Sequence, residues 1–275
     1  MLRCMSSAIA GLKANMTGLD VVGNNVSNVN TNSFKSSSVS FRDSMYQELT
    51  GGAAGSANAA GINPSQVGYG STASSVNVNT TKGGQDATGE ANDVYIDGGG
   101  YFIVGNSAKD GSDAFTGYKY TRLGTMDWDN NGYLTDGDGN YVCGYMGAGT
   151  TLTAIKMPAG GKNASIAADG SITYTDADGK IQTLGKIVLA DFMNPGGLQQ
   201  VGGSFYVQSD NSGEATSVLP GTNGTDKLVT GALEASNVDL ATEFSNMIMF
   251  ERGYQANTKI VTVADECLQT LVNMK

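Results

Sequence analysis

The sequence predicts an α+β multidomain fold: paired long N- and C-terminal α-helices, coiled-coil-like, with an all-β domain inserted between them. Two observations predict it. Both ends of the chain carry apolar residues at alternating three- and four-residue steps, a spacing that keeps one seam on one side of a helix. The middle breaks into short apolar runs punctuated by Gly, Asn and Asp, the turn residues that separate strands.

The N-terminal seam is Leu2, Met5, Ile9, Leu12, Met16 and Leu19, after which the phase slips by one to Val22, Val26 and Val29. A helix from Arg3 to Ser27 would be about 37 Å long. At the other end Leu240, Met247, Tyr254, Val261 and Leu268 fall seven residues apart, and Phe244, Phe250, Ala264 and Leu271 widen the seam. Ser236 and Asp239 read as a capping box at its start. Gly253 costs about 1 kcal/mol relative to Ala in mid-helix, so it marks a close backbone approach. One helix with a single apolar seam is unstable in water. The two seams are therefore expected to bury each other and to meet neighbouring copies. An ordinary pair of core helices would show the same periodicity.

Between the ends the expected parts are a linker and β-hairpin region over residues 34–92 and an all-β outer domain over residues 93–236. They separate an N-terminal helical part (1–33) from a C-terminal one (237–275). The run from Gly51 to Gln66 has a loop composition. Strand-like runs are Ser75–Thr81, Asp93–Ile96, Tyr101–Val104, Tyr118–Arg122, Tyr133–Thr135, Tyr141–Tyr145, Ser171–Thr175, Ile187–Asp191 and Ser204–Gln208. Asn131-Gly132, Asp136-Gly137, Asp169-Gly170 and Asp178-Gly179 supply hairpin signals between them.

Composition excludes several function classes. The chain has 275 residues, a net charge of −10 and no His. Nucleic-acid binding needs clustered Lys and Arg, which are missing. Without His there is no Ser-His-Asp or Cys-His catalysis and no His-ligated metal. No cofactor and no enzymatic activity are expected. Cys4, Cys143 and Cys267 are far apart in sequence and read as small buried residues rather than a disulfide framework. The start lacks the apolar stretch of a cleaved signal peptide, and no run is long enough to insert in a membrane.

One motif has ligand spacing. Asp127, Asp129, Asn131, Gly132 and Asp138 follow a calcium-loop pattern. Helices should flank such a loop, whereas the flanks here look like strands, so two successive hairpin turns are the preferred reading. A secreted calcium-binding β module stands as the alternative of another class. Gly98-Gly99-Gly100 precedes a strand rather than a helix and is not a phosphate loop. Asn-x-Ser/Thr triplets at Asn163 and Asn223 are as frequent as chance expects.

The stretch Asp20 to Thr31, with Asn24, Asn25, Asn28 and Thr31, followed by Ser33, Phe34 and Lys35, closely resembles the N-terminal signature of bacterial flagellar rod and hook proteins. Ser33 stands where that pattern has Gly. The run Phe250 to Thr258, with Arg252, Tyr254, Gln255 and Asn257, and the run Ala264 to Val272 look like the family's C-terminal signature. Asp93 to Tyr145, including Tyr120 to Gly124, and Val229 to Glu243 resemble it too.

Within that family the ending Leu268 to Lys275, Asn194 to Leu198 and Ser236 to Leu240 look like short hook proteins. The distal rod protein has the same plan and is the alternative. The resemblance implies a self-polymerising helical tube, exported by the flagellar type III apparatus to the cell exterior and acting as a torque-transmitting universal joint. It also implies terminal helices lining the tube, with rod protein at one end, a hook–filament junction protein at the other, and a hook cap during assembly.

Overall fold

The computed structural model describes residues 2–52, 54–55, 60–105, 117–147, 149, 151–222 and 227–274. The chain folds as two compact units. The first comprises Met1–Val29, Ser36–Asn79 and Val238–Lys275, and the second Asn30–Lys35 and Thr80–Asn237.

The first unit holds both long helices, α1 (Leu2–Ser27) and α2 (Leu240–Asn273). A β-ribbon lies between them in the chain. Strand β1 (Ser37–Asp43) pairs antiparallel with β4 (Ser71–Val78), and β2 (Tyr46–Thr50) with β3 (Ser65–Gly68). Backbone bonds from Ser44 N to Gly70 O (2.7 Å) and from Tyr69 N to Met45 O (3.0 Å) join the pairs into one continuous ribbon.

The helices touch through small and polar residues and one aromatic ring, Phe250. A Cβ built on Gly11 would sit 2.7 Å from Asn257 Nδ2, one on Gly18 3.1 Å from the Phe250 ring, and one on Gly253 3.0 Å from the Asn15 amide. Positions fall along α2 as they rise along α1, so the helices run antiparallel. The mid-helix Gly253 therefore does mark a close approach. On its other side α1 meets the ribbon, where a Cβ on Gly70 would lie 3.0 Å from Ser7 O. Squeezed from two sides, α1 buries mainly small residues: Ala8, Ala14, Gly18 and Val22, with Asn25.

This corrects the coiled-coil expectation. Strands make up 37% of the described residues, and the helices do not pair as a long coiled coil. Large seam residues face outward instead: Ile9 is 42% exposed, Met16 56%, Leu240 40%, Phe244 49%, Tyr254 40% and Leu271 55%. Met5, Leu12, Leu19, Met247, Val261 and Leu268 are half-buried. The reason is steric. Knobs-into-holes packing needs large side chains between the axes, and the glycines bring the backbones too close for them. The cap also differs from expectation. Asp239, not Ser236, is the N-cap, its carboxylate accepting from Ala241 N at 3.1 Å.

Among its described residues the second unit is all β apart from a single-turn 3-10 helix, Pro195–Gly197. Its main antiparallel sheet runs in the order Lys162–Ile166, Ser171–Thr175, Ile181–Ile187, Tyr141–Met146, Tyr101–Gly105, Tyr118–Thr121, Phe205–Val207 and Gln199–Gly202. Met126–Trp128, Leu134–Asp136, Leu152–Ala154, Leu189–Asp191 and Thr216–Val218 join it off that path. Two small pairs, Val94–Ile96 with Leu228–Thr230 and Gln85–Ala87 with Ala232–Glu234, complete the unit.

Strand Tyr101–Gly105 is buried at every position. Phe102 and Val104 enter one core with Leu134, Ile172 and Leu189. Tyr101 and Ile103 enter a second core with Tyr120, Cys143, Phe192 and Tyr206. A strand covered on both faces reads as a continuous apolar run instead of an alternating one, as this one does. No helix of the described residues is long and apolar enough to cross a membrane.

Candidate assembly surfaces and a buried ion cluster

The N-terminal signature residues do different jobs. Asn25 is fully buried in the first unit. Its Nδ2 donates to Ser37 O at 2.8 Å and to Glu243 Oε1 at 3.2 Å, and its Oδ1 accepts from Ser37 N at 2.9 Å. One side chain thus ties the end of α1 to the start of β1 and to the first turn of α2. Burial raises the pKa of Glu243, against the lowering effect of the Asn25 bond. Asn24 and Asn28 bond to each other on the last turn of α1 at 3.0 Å.

In the second unit Thr31 O accepts from Phe34 N at 3.3 Å, and Phe34 O accepts from Asn237 N at 3.3 Å. Lys35 is buried and pairs with Glu234 Oε1 at 2.6 Å, donating also to Thr81 O at 2.7 Å. The other carboxylate oxygen accepts from Arg122 Nε at 2.8 Å, and Gly83 N donates to Oε1 at 2.8 Å. Arg122 reaches on to the Gly98 carbonyl and lies 5.7 Å from the Tyr101 ring centroid. The Gly98 to Gly100 run thus gives a carbonyl to Arg122 and leads into the strand Tyr101–Gly105.

Burial lowers the pKa of Lys35, and so does the Arg122 charge, while Glu234 pulls the other way. Two cations around one carboxylate leave a net charge that the backbone carbonyls must solvate.

On the C-terminal signature Arg252, Tyr254 and Gln255 are exposed on α2, with Arg252 Nη1 donating to Gln255 Oε1 at 3.2 Å. Asn257 instead faces Gly11. The structure therefore brings Asn25 to Glu243 and Lys35 to Arg122 and Glu234. Only the backbone of Leu2 is described, and the Asn223 triplet and parts of the Gly51 to Gln66 loop lie outside the described residues. Arg122, Glu234 and Glu243 were not recognised as site residues from the sequence. The usable signal was a charge at the end of, or inside, an apolar strand run, as in Tyr118–Arg122 and Ala232–Glu234.

The calcium-loop pattern lies on hairpins. Asp127 sits in a strand paired with Leu134–Asp136, Asn131 Nδ2 donates to Asp129 Oδ2 at 2.8 Å across one turn, and Asp138 N donates to Asp136 Oδ1 at 2.8 Å in the next. Strands flank the pattern on both sides. The cysteines also differ from expectation: Cys143 is buried, but Cys4 and Cys267 are exposed.

What the first unit chiefly offers is apolar surface. Ile9 and Met16 on α1, Phe244, Ile248, Met249, Ile260 and Val263 on α2, and Met45, Tyr46, Leu49 and Ile62 on the ribbon are all exposed. Apolar patches on this scale mark interaction surfaces. Phe41 meets Phe250 edge-on at 5.8 Å, linking ribbon and α2 within the unit.

Comparison with known proteins gives this surface a context. Residues 229–274 match the family described as "Flagellar basal body rod FlgEFG protein C-terminal". Residues 95–174 match "Flagellar hook protein FlgE/F/G D1 domain". The chain is 43% identical to the flagellar basal-body rod protein FlgG of Bacillus subtilis, with 100% of each chain covered. It is 34% identical to FlgG of Buchnera aphidicola from Baizongia pistaciae, covering 98% and 99%. To the flagellar hook protein FlgE of Borreliella burgdorferi it is 24% identical. Full-length identity at this level, together with two family domains in order, places the chain in the bacterial flagellar rod and hook (FlgE/F/G) protein family.

Proposed function

We propose that the chain is a structural subunit of the flagellar rod, in its distal part, and that it polymerises with copies of itself into a helical tube that carries torque. The observation that carries this reading is the end-to-end match to a rod protein at 43% identity with full coverage of both chains. The hook reading drawn from the residues is displaced. Its relative is 24% identical, and the alignment stretches over 449 positions against 276 for the rod protein. Segments such as Asn194 to Leu198 do not separate the two.

The exposed apolar residues of α1, α2 and the ribbon support self-assembly, because a lone chain leaves them in water. On this reading the neighbours are further copies, other rod subunits on one side and hook subunits on the other. The flagellar export apparatus delivers the chain. The role is mechanical, and no cofactor enters it.

The test is replacement in Bacillus subtilis. The chain should restore flagella to a strain lacking its own FlgG and should leave a hook-deficient strain non-flagellate. Rescue of the hook-deficient strain alone would reverse the assignment.

A further inference from the structure

We infer that a groove beside Lys13 on α1 receives the first turns of α2 from a second copy, with Glu251 of that copy closing on Lys13. The inference rests on the self-assembly reading and names the contact that reading leaves open.

The groove has a volume of about 350 Å³ and is lined by Ile9, Ala10, Lys13 and Ala14 of α1 and Thr72 and Ala73 of β4. Ser6 and Thr17 of α1 complete the lining, so the walls are small and mostly apolar with hydroxyls among them, and Lys13 is the one cation. Among the described residues Lys13 forms no ion pair. Arg3 adds a second positive charge, and α1 carries no carboxylate before Asp20.

The complementary surface lies on α2. Leu240, Phe244 and Ile248 are exposed at four-residue steps, and Glu251 follows them. At 3.6 residues per turn these four lie within about a quarter of the helix circumference. Glu251 forms no ion pair among the described residues and accepts only from Gln255 on its own helix, at 2.9 Å. The neighbouring Arg252 is tied to Gln255. The face of α2 that meets α1 of its own chain carries Phe250, Gly253 and Asn257. The Phe244 stripe is on another side, so it can fill the groove only of another copy.

An apolar ridge ending in an anion thus matches a mostly apolar groove that carries a cation. Because ridge and groove are different surfaces, the contact is head-to-tail. Such a contact builds an open helical filament wherever its rotation does not close a ring.

The experiment uses the purified full chain, with the critical concentration for polymerisation read by sedimentation and folding checked by circular dichroism. Lys13→Glu and Glu251→Lys are each expected to raise the critical concentration roughly tenfold, since like charges then face each other. The double variant K13E/E251K should return to within about twofold of the unmodified chain, as the pair is restored in reverse. Both sites are exposed, so the folded spectrum should not change. Singles that polymerise like the unmodified chain overturn this contact and leave the assembly reading standing. A double variant no better than the singles also overturns it. An unmodified chain that stays monomeric at all concentrations overturns both.

Discussion

Lys35 and Glu234 stand 199 positions apart in the chain and form a 2.6 Å ion pair with 1% of each side chain exposed. Arg122 joins them through the second carboxylate oxygen. Three stretches that look unrelated in sequence thus converge on one buried group. Removing the carboxylate would leave two buried cations with backbone carbonyls but no counter-charge. Glu234→Ala is expected to destabilise the second unit by about 3–5 kcal/mol. Lys35→Met should cost clearly less, because burial already disfavours the Lys35 charge and Arg122 still neutralises Glu234. Denaturant unfolding followed by fluorescence of the single tryptophan, Trp128, which packs against the second unit's core, measures both. A near-neutral E234A would show that the cluster contributes nothing.

High pH should loosen the same unit. Burial pushes the Cys143 thiol from 9.0 up to about 12 and the Tyr101 phenol from 10.0 up to about 12. In the unfolded chain both ionise near their ordinary values, so the folded state holds more protons between pH 9 and about 12. Stability is therefore complete below that window and falls as pH rises through it. The lowered Lys35 acts in the opposite sense as pH approaches 10.5 and softens the fall. Tyr101→Phe should flatten the stability curve above pH 10, whereas an unchanged slope would exclude Tyr101 as a source.

Ser33 explains itself through its backbone. It has φ of 60°, its N–H donates to Glu234 O at 2.7 Å, and its buried Oγ has no partner among the described residues. The left-handed region suits Gly, the residue that the family pattern has here. Ser33→Gly is expected to stabilise the second unit by about 1 kcal/mol, after subtracting the extra freedom Gly gains when unfolded. A lower denaturation midpoint would count against this account.

Two glycines of α1 should respond in opposite directions. A Cβ on Gly23 meets nothing within 4 Å, whereas one on Gly11 would press on Asn257. Gly23→Ala should raise stability by about 1 kcal/mol through helix propensity alone. Gly11→Ala should lose that gain and lower the melting temperature. Thermal melts read by helical circular dichroism compare them, and equal shifts would argue against close packing of the helices.

The helices were legible in the sequence because periodicity survives in any amphipathic helix. Their packing was not. The seam Leu240, Phe244, Tyr254 and Leu271 looks like an interior seam but is exposed, since periodicity does not reveal which protein surface covers it. Of the actual contacts, Gly11, Asn15, Gly18, Gly253 and Asn257 are small or polar and carry no hydrophobic signal, whereas Phe250, which packs on Gly18, does belong to the expected seam. In the β unit, runs such as Tyr101–Gly105 and Tyr141–Met146 stood out because both of their faces are apolar. The edge strand Gln199–Gly202 shows no strand pattern in the sequence, and within the region expected as linker and β-hairpin, β1 and β2 do not stand out as separate strands, because one polar face and many Ser residues hide the alternation. Lys35 was legible only through family resemblance. Its partner Glu234 sits in a short strand whose pairing with Gln85–Ala87 depends on long-range topology.

The most direct test of the central claim is electron microscopy of polymers grown from the purified chain. Straight, rigid tubes of uniform diameter are predicted for a rod subunit. Curved, supercoiled tubes would return the chain to the hook, and a chain that remains monomeric at every concentration would contradict self-assembly itself.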